Sequence, residues 1–194
     1  MNRLLWQAIT EALSSMGDAQ SFTGSYPRQA AVMVLITDEV SPQVVYTLRS
    51  KHLNQHAGEV CFPGGKWEPQ DSSLLATALR ETHEEIGLPP NMVDVLGVLP
   101  ARATRSGAMV QPFVGKIPAD CRFSLNHHEL EELFSVPLVD FRQGLQVRTD
   151  LFEHNGQRMR VPAYVYNGFE IWGFTAGVTS ELLSLLHSFP TVGR

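Results

Sequence analysis

Apolar residues fall in short blocks along this chain, and polar turn residues divide them. Residues 30–36 and 43–48 are rich in β-branched and aliphatic side chains. They read as two strands joined by a turn over residues 38–42. Residues 93–99, 109–117 and 130–136 read as further strands, the last leading into a short helix from Pro137. Residues 146–149 and 159–166 flank Asn155-Gly156, a pair that favours the tight turn of a hairpin. The period changes after Asp71, where Leu75, Leu79, Thr82 and Ile86 recur at helical spacing. That helix is expected to start from an N-cap at Asp71 or Ser72 and to end at Gly87, with Pro89-Pro90 beyond it. Residues 2–16 place Arg3 and Glu11 among apolar positions and read as an amphipathic helix. A final helix is expected over residues 175–187, closed by Phe189-Pro190. There is no internal repeat and no linker. Strands bracketing one acidic helix, with a closing helix, predict an α/β fold: an α/β/α sandwich with a mixed sheet, spanning residues 1–194 as one domain.

The helix after Asp71 carries the chemistry. Glu81, Glu84 and Glu85 stand at i, i+3 and i+4, which groups them on one face, away from the Leu75/Leu79/Thr82/Ile86 stripe. Three neighbouring anions repel, so they call for a positive partner. Oxygen donors of this kind suit a hard divalent cation, Mg²⁺ or Mn²⁺. A solvated acidic helix face is the plainer reading of these three residues alone. Arg80 is placed to hold part of the cluster. Upstream, Phe62-Pro63-Gly64-Gly65-Lys66 supplies a glycine turn that lets backbone approach the helix closely.

The loop and helix resemble the Nudix box: Gly, five residues, Glu, seven residues, then Arg-Glu-aliphatic-x-Glu-Glu-x-Gly-aliphatic. Arg80, Glu81, Glu84, Glu85, Gly87 and Leu88 match its second half. Thr82 departs from the aliphatic position, Asp71 stands for the first glutamate, and the stretch from Asp71 to Arg80 is one residue longer. An upstream pattern is similar to that of the coenzyme A diphosphatase branch, L-L-T-x-R-[S/A]-x3-R-x3-G-x3-F-P-G-G. Thr47, Arg49, Ser50, Gly58 and residues 62–65 match in register, while Val45, Tyr46 and Asn54 depart. Trp172-Gly173-Phe174-Thr175-Ala176-Gly177 matches a second segment of that branch.

The resemblance implies a Nudix fold and metal-dependent hydrolysis of a diphosphate. Glu81 and Glu85 are then the firmest metal ligands, with Glu84 a further ligand or the residue that orients water. Gly65 offers a carbonyl oxygen. A later acid from the group Glu129, Glu131 and Glu132 serves as base or ligand, and Glu129 is the choice because it precedes the strand. Candidate substrate contacts are Arg49, Lys66, His56, Gly58 and Phe62, with Arg102 and Arg105 placed for a 3′-phosphate. The implied substrate is coenzyme A or acyl-coenzyme A. The alternatives are another nucleoside diphosphate derivative, such as ADP-ribose or NADH, or a non-catalytic module that senses a nucleotide.

Composition narrows the partners. At 194 residues the chain suits one core, and its net charge of −5 with a pI near 5.8 argues against nucleic acid or an anionic membrane. Cys61 and Cys121 make no ligand spacing, Cys61 reading as a small buried residue, and no signal segment opens the chain, so a cytoplasmic protein is expected. The expected partner is a small nucleotide, and a homodimer is left open.

Overall fold

The computed structural model describes residues 2–16, 29–53, 55–104, 107–154 and 157–186. The elements run in the order α1 (Asn2–Ser14), β1 (Gln29–Asp38), β2 (Gln43–Arg49), β3 (Val60–Cys61), β4 (Gly64–Lys66) and α2 (Leu74–Ile86). After a 3₁₀ turn (Pro90–Met92) come β5 (Asp94–Val98), β6 (Arg102–Ala103), β7 (Met109–Pro118), β8 (Leu130–Pro137) and α3 (Leu138–Arg142). β9 (Gln146–His154), β10 (Gln157–Tyr166), β11 (Phe169–Ile171) and α4 (Gly173–Leu186) follow.

The main sheet has eight strands and is mixed. β1 and β7 run parallel over ten paired positions, from Gln29 opposite Met109 to Asp38 opposite Pro118. The other pairs are antiparallel: β2 with β1, β3 and β8, β4 with β1, and β5 and β6 with β7. β1 is central, and residues 33–36 of its apolar run are fully buried, as a parallel strand covered on both faces requires. Alternate side chains serve two cores. Ala31, Met33 and Leu35 meet Ala78, Ile86 and Leu88 of the α2 side. Val34 and Ile36 meet Ile9 and Leu13 of α1 and Val178 and Leu182 of α4. This is the α/β/α arrangement expected. The hairpin of β9 and β10 adds β11 to form a separate three-stranded sheet.

Several boundaries differ from the sequence reading. β9 extends to His154, and α4 begins at Gly173 rather than Thr175. The short strands β3, β4, β6 and β11 have no counterpart in the sequence reading. Each of these strands has two or three residues, too few to show alternation. The hairpin tip at 155–156, residues 17–28 and residues 187–190 lie outside the described residues.

Candidate active site

The site forms where the main sheet splits. β1 and β2 pair near their connecting turn, at Ile36 opposite Val44, and then part. Farther along, residues 30–32 of β1 pair with β4, while Thr47 and Leu48 of β2 pair with β3. Phe62-Pro63 crosses between the two, and the Met33 N–H donates to the Pro63 carbonyl at 2.8 Å. Gly64 occupies the tightest point. Its φ is +149°, and a Cβ there would stand 2.3 Å from the Ala31 carbonyl oxygen, so only glycine fits.

Helix α2 lies over this split. Its N-cap is Ser73, whose side chain accepts the Ala76 N–H at 3.1 Å, rather than Asp71 or Ser72. Its C-cap is Gly87 in the left-handed conformation, as expected, with its N–H bonded to the His83 carbonyl. Asp71 has a different task. It accepts the Glu68 N–H at 3.0 Å, the Thr77 hydroxyl at 2.9 Å, and both Nε and a terminal nitrogen of Arg80 at 2.9 Å. The Arg80 fork, helped by the other two donors, holds this buried carboxyl well below the usual carboxylate range. From that anchor Arg80 donates to Glu81 at 3.0 Å, to Glu84 at 3.1 Å and to the Lys66 carbonyl at 3.1 Å.

The buried face of α2 overlaps the predicted stripe at Thr82 and Ile86 and is rotated from it at the helix start. Thr77, Ala78, Thr82, Glu85 and Ile86 are buried, while Leu75 and Leu79 sit at the margin. The helix packs on β4, whose two glycines offer no side chains, so small residues and Glu85 fit there. Glu85 is therefore separated from its neighbours: it is 2 % exposed, whereas the Glu84 side chain is 54 % exposed. One Glu85 oxygen accepts the Gly64 N–H at 3.0 Å, and the other faces a terminal nitrogen of Arg49 at 3.4 Å. Burial pushes the Glu85 carboxyl up to about 7; Gly64 and Arg49 oppose this, and the charges of Glu81 and Glu129 add to it.

Glu81 is also pushed upward, first by burial, with Arg80 opposing and Glu84 and Glu129 reinforcing. Its carboxyl lies directly over Gly65, where a Cβ would come within 2.3 Å of the Glu81 carboxyl carbon. Glu129 is delivered by a turn tied to the end of α2, since the Asn126 N–H donates to the Glu85 carbonyl at 2.9 Å and the Ser50 N–H donates to the Glu129 carbonyl at 2.8 Å. Asn126 also reaches the Glu129 carboxylate, at 3.4 Å. The charge of Glu129 thus adds to the upward push on both Glu81 and Glu85 beside the glycine turn. Of the other late acids, Glu131 faces Lys51 at 3.8 Å and Glu132 is exposed.

The donor set fits a hard divalent cation. It is all oxygen, and burial with mutual repulsion leaves it short of positive charge. The space a Cβ would fill at Gly65 is taken by the Glu81 carboxylate. Among the described residues no three acidic, His or Cys side chains yet surround a common point. Arg80 occupies oxygens of both Glu81 and Glu84.

The remaining candidates divide. Gly58, at φ +70°, turns the preceding loop so that its N–H reaches the Arg49 carbonyl at 3.1 Å. His56 is exposed and its Nδ1 pairs with Glu59 at 2.8 Å. Phe62, expected at the substrate, is instead 2 % exposed and packs on Tyr46 at 5.0 Å between ring centres, filling the α4-side core. Lys66 reaches the carboxylates only through its carbonyl. Cross-strand partners share a face, and Lys66 lies opposite Ala30, so its side chain leaves the face that Gly65 and Ala31 turn toward α2. Arg102 pairs with Glu181 of α4 at 2.6 Å, also on that second face. Cys61 is half-buried and its thiol, beside Thr47, is pushed up to about 11 by burial. Asn54 and Arg105 lie outside the described residues.

Sequence reasoning missed Asp71 as the anchor of Arg80. It also missed Thr175, whose hydroxyl donates to the Val60 carbonyl at 2.9 Å and braces the strand that enters the glycine turn.

A mixed sheet between helical layers here sets a glycine turn against an acidic helix face, an arrangement of oxygen donors suited to a hard cation. The chain matches the NUDIX domain family over residues 27–150 and belongs to the Nudix family. It is 40 % identical over 156 residues to a protein of Escherichia coli O7:K1 named "Uncharacterized Nudix hydrolase NudL", covering 80 % of this chain and 81 % of that one. A protein of the same name from Enterobacter sp. is 37 % identical over 155 residues, with the same coverage. Among solved structures, the Nudix hydrolase RenU from M. smegmatis aligns over 92 % of this chain and 99 % of its own, with a TM-score of 0.57 at 16 % identity. A MutT/nudix family protein from Enterococcus faecalis aligns over 88 % of this chain and 64 % of its own, with a TM-score of 0.54 at 15 % identity. The protein is therefore a Nudix hydrolase, an enzyme of nucleoside diphosphate derivatives. No described helix is long and apolar enough to cross a membrane.

Proposed function

We propose that this enzyme hydrolyses the diphosphate linkage of coenzyme A or acyl-coenzyme A with Mg²⁺ or Mn²⁺, giving 3′,5′-ADP and 4′-phosphopantetheine or its acyl form. The observation that carries the hydrolytic part is the Glu81 carboxyl set against Gly65 and Glu85 bound to the Gly64 N–H, with the charge of Glu129 acting on both. A bound divalent cation would offset the charge of the diphosphate and acidify a bound water. Glu81 and Glu85 would hold it, with Glu84 or the Gly65 carbonyl as further oxygen donors. Arg80 keeps Glu81 and Glu84 oriented, and Asp71 keeps Arg80 oriented. Glu129, on a separate loop, is the proposed base or an additional ligand. Arg49 steadies Glu85 and stands ready for a substrate phosphate.

The choice of coenzyme A rests on the two sequence segments similar to that branch. They meet in the fold: Thr47 of the upstream pattern pairs with Cys61, and Thr175 of the downstream pattern bonds Val60, so both brace the strand entering the glycine turn. The two free cysteines suit a reducing, cytoplasmic setting. The test is a panel of coenzyme A, ADP-ribose and NADH with Mg²⁺ and Mn²⁺. The proposal expects the highest kcat/KM on coenzyme A. Preference for ADP-ribose or NADH would overturn the substrate while keeping the hydrolase. Binding without turnover in saturating metal would favour a nucleotide-sensing module.

A further inference from the structure

On the face of the sheet away from α2 lies a cavity of about 360 Å³ between β10, β6 and α4. Two arginines line it. Arg102 is held at 2.6 Å by Glu181, which fixes its guanidinium on the cavity wall. Arg160 is exposed and makes no ion pair among the described residues, so the cavity carries one positive charge beyond the internal pair. Ser180 and Ser184 line it one helical turn apart on the same stripe of α4, the Ser184 hydroxyl donating to the Glu181 carbonyl at 2.7 Å and the Ser180 hydroxyl bonded to Tyr164. Gly177 continues that stripe. A Cβ there would meet Arg102 and Val161 at 3.8 Å, so the missing side chain adds room beneath the guanidinium. Pro162 supplies an apolar edge against which a ring could rest.

Two guanidinium groups on one hollow, with Arg160 making no ion pair among the described residues, suit a phosphate monoester. The position relates it to the carboxylates. Lys66, Ala30, Val110 and Arg102 form one row across β4, β1, β7 and β6, all facing the same side. Arg102 thus stands three strand spacings, about 14 Å, from the residue whose carbonyl holds Arg80.

We propose that this cavity is a second anion subsite, which takes the phosphate monoester of the substrate; this rests on the coenzyme A reading. Arg160 supplies the charge that Arg102 has already committed to Glu181. The subsite would then be what separates coenzyme A from its dephospho form.

Two experiments on the full chain test it. In the first, calorimetry measures binding of 3′,5′-ADP, 5′-AMP and inorganic phosphate to the parent, to Arg160→Gln and to Arg160→Lys. The parent should bind 3′,5′-ADP at least about tenfold more tightly than 5′-AMP, the scale of one charge-assisted hydrogen bond. Arg160→Gln should erase that difference, and Arg160→Lys should keep part of it. Phosphate binding alone, lost in Arg160→Gln but with no preference for 3′,5′-ADP, would assign the cavity to a free anion and overturn the substrate role. Equal binding of both nucleotides in the parent overturns the subsite altogether. In the second, the ratio of kcat/KM for coenzyme A over dephospho-coenzyme A should fall toward one in Arg160→Gln. If 3′,5′-ADP binds through Arg160 but coenzyme A is not cleaved, the proposed reaction fails and the subsite stands.

Discussion

Replacing Glu85 by Gln probes the site through stability as well as turnover. Glu85 is 2 % exposed, and burial pushes its carboxyl to about 7 from an ordinary value of 4.5. The folded protein therefore binds a proton more readily than the unfolded chain between those two values. Stability from this group is complete below about pH 4.5 and is lost as pH rises through about 7. Ionising this group in the fold therefore costs roughly 3 kcal/mol at pH 8.5 and under about 1 kcal/mol at pH 5. Gln keeps the shape and an oxygen to accept the Gly64 N–H, and it carries no charge to desolvate. It gives up the 3.4 Å approach to Arg49, a weak contact at that distance. In urea unfolding with a chelator present, Glu85→Gln should be more stable than the parent by about 2–3 kcal/mol at pH 8.5. The gap should nearly close at pH 5. Saturating Mg²⁺ should reverse the order by stabilising only the parent, and turnover by the variant should be nearly abolished. A variant that is less stable than the parent at pH 8.5, by an amount independent of pH, would refute the reasoning.

Gly65→Ala should fold with little loss of stability, because the atoms nearest the added methyl are the movable end of Glu81; metal affinity, measured by calorimetry, should fall by about tenfold or more. Asp71→Asn should cost about 2 kcal/mol in chemical denaturation by breaking the fork to Arg80. Because that carboxyl is held low, its contribution is present above about pH 4 and should disappear as the solution is acidified below it. Activity should vanish with a chelator and return with excess Mg²⁺ or Mn²⁺, and full activity in metal-stripped buffer would contradict the cation's role.

The long apolar runs made the strands and layers readable, because β1 and β7 are buried on both faces and α2 carries a clean cap at Gly87. What stayed hidden was set by contacts between distant segments. β3 and β4 exist because β1 and β2 part and leave backbone groups to be paired, and two-residue strands have no pattern of their own. Glu85 reads as surface beside Glu84, yet it is buried because β4 presents glycines to it. Phe62 sits inside a recognisable motif, and only the fold shows its ring against Tyr46 in the opposite core. Asp71 reads as a helix cap, and across the eight residues between them nothing in the sequence marks it as the partner of Arg80. Lys66 lies next to the glycine turn in sequence, but strand alternation turns its side chain to the other face.

The central claim is tested most directly by identifying products after the purified protein is incubated with coenzyme A and Mn²⁺. The account predicts 3′,5′-ADP and 4′-phosphopantetheine in equal amounts, formed by the parent and not by Glu85→Gln. Dephospho-coenzyme A with free phosphate, or unchanged coenzyme A under saturating metal, would contradict it.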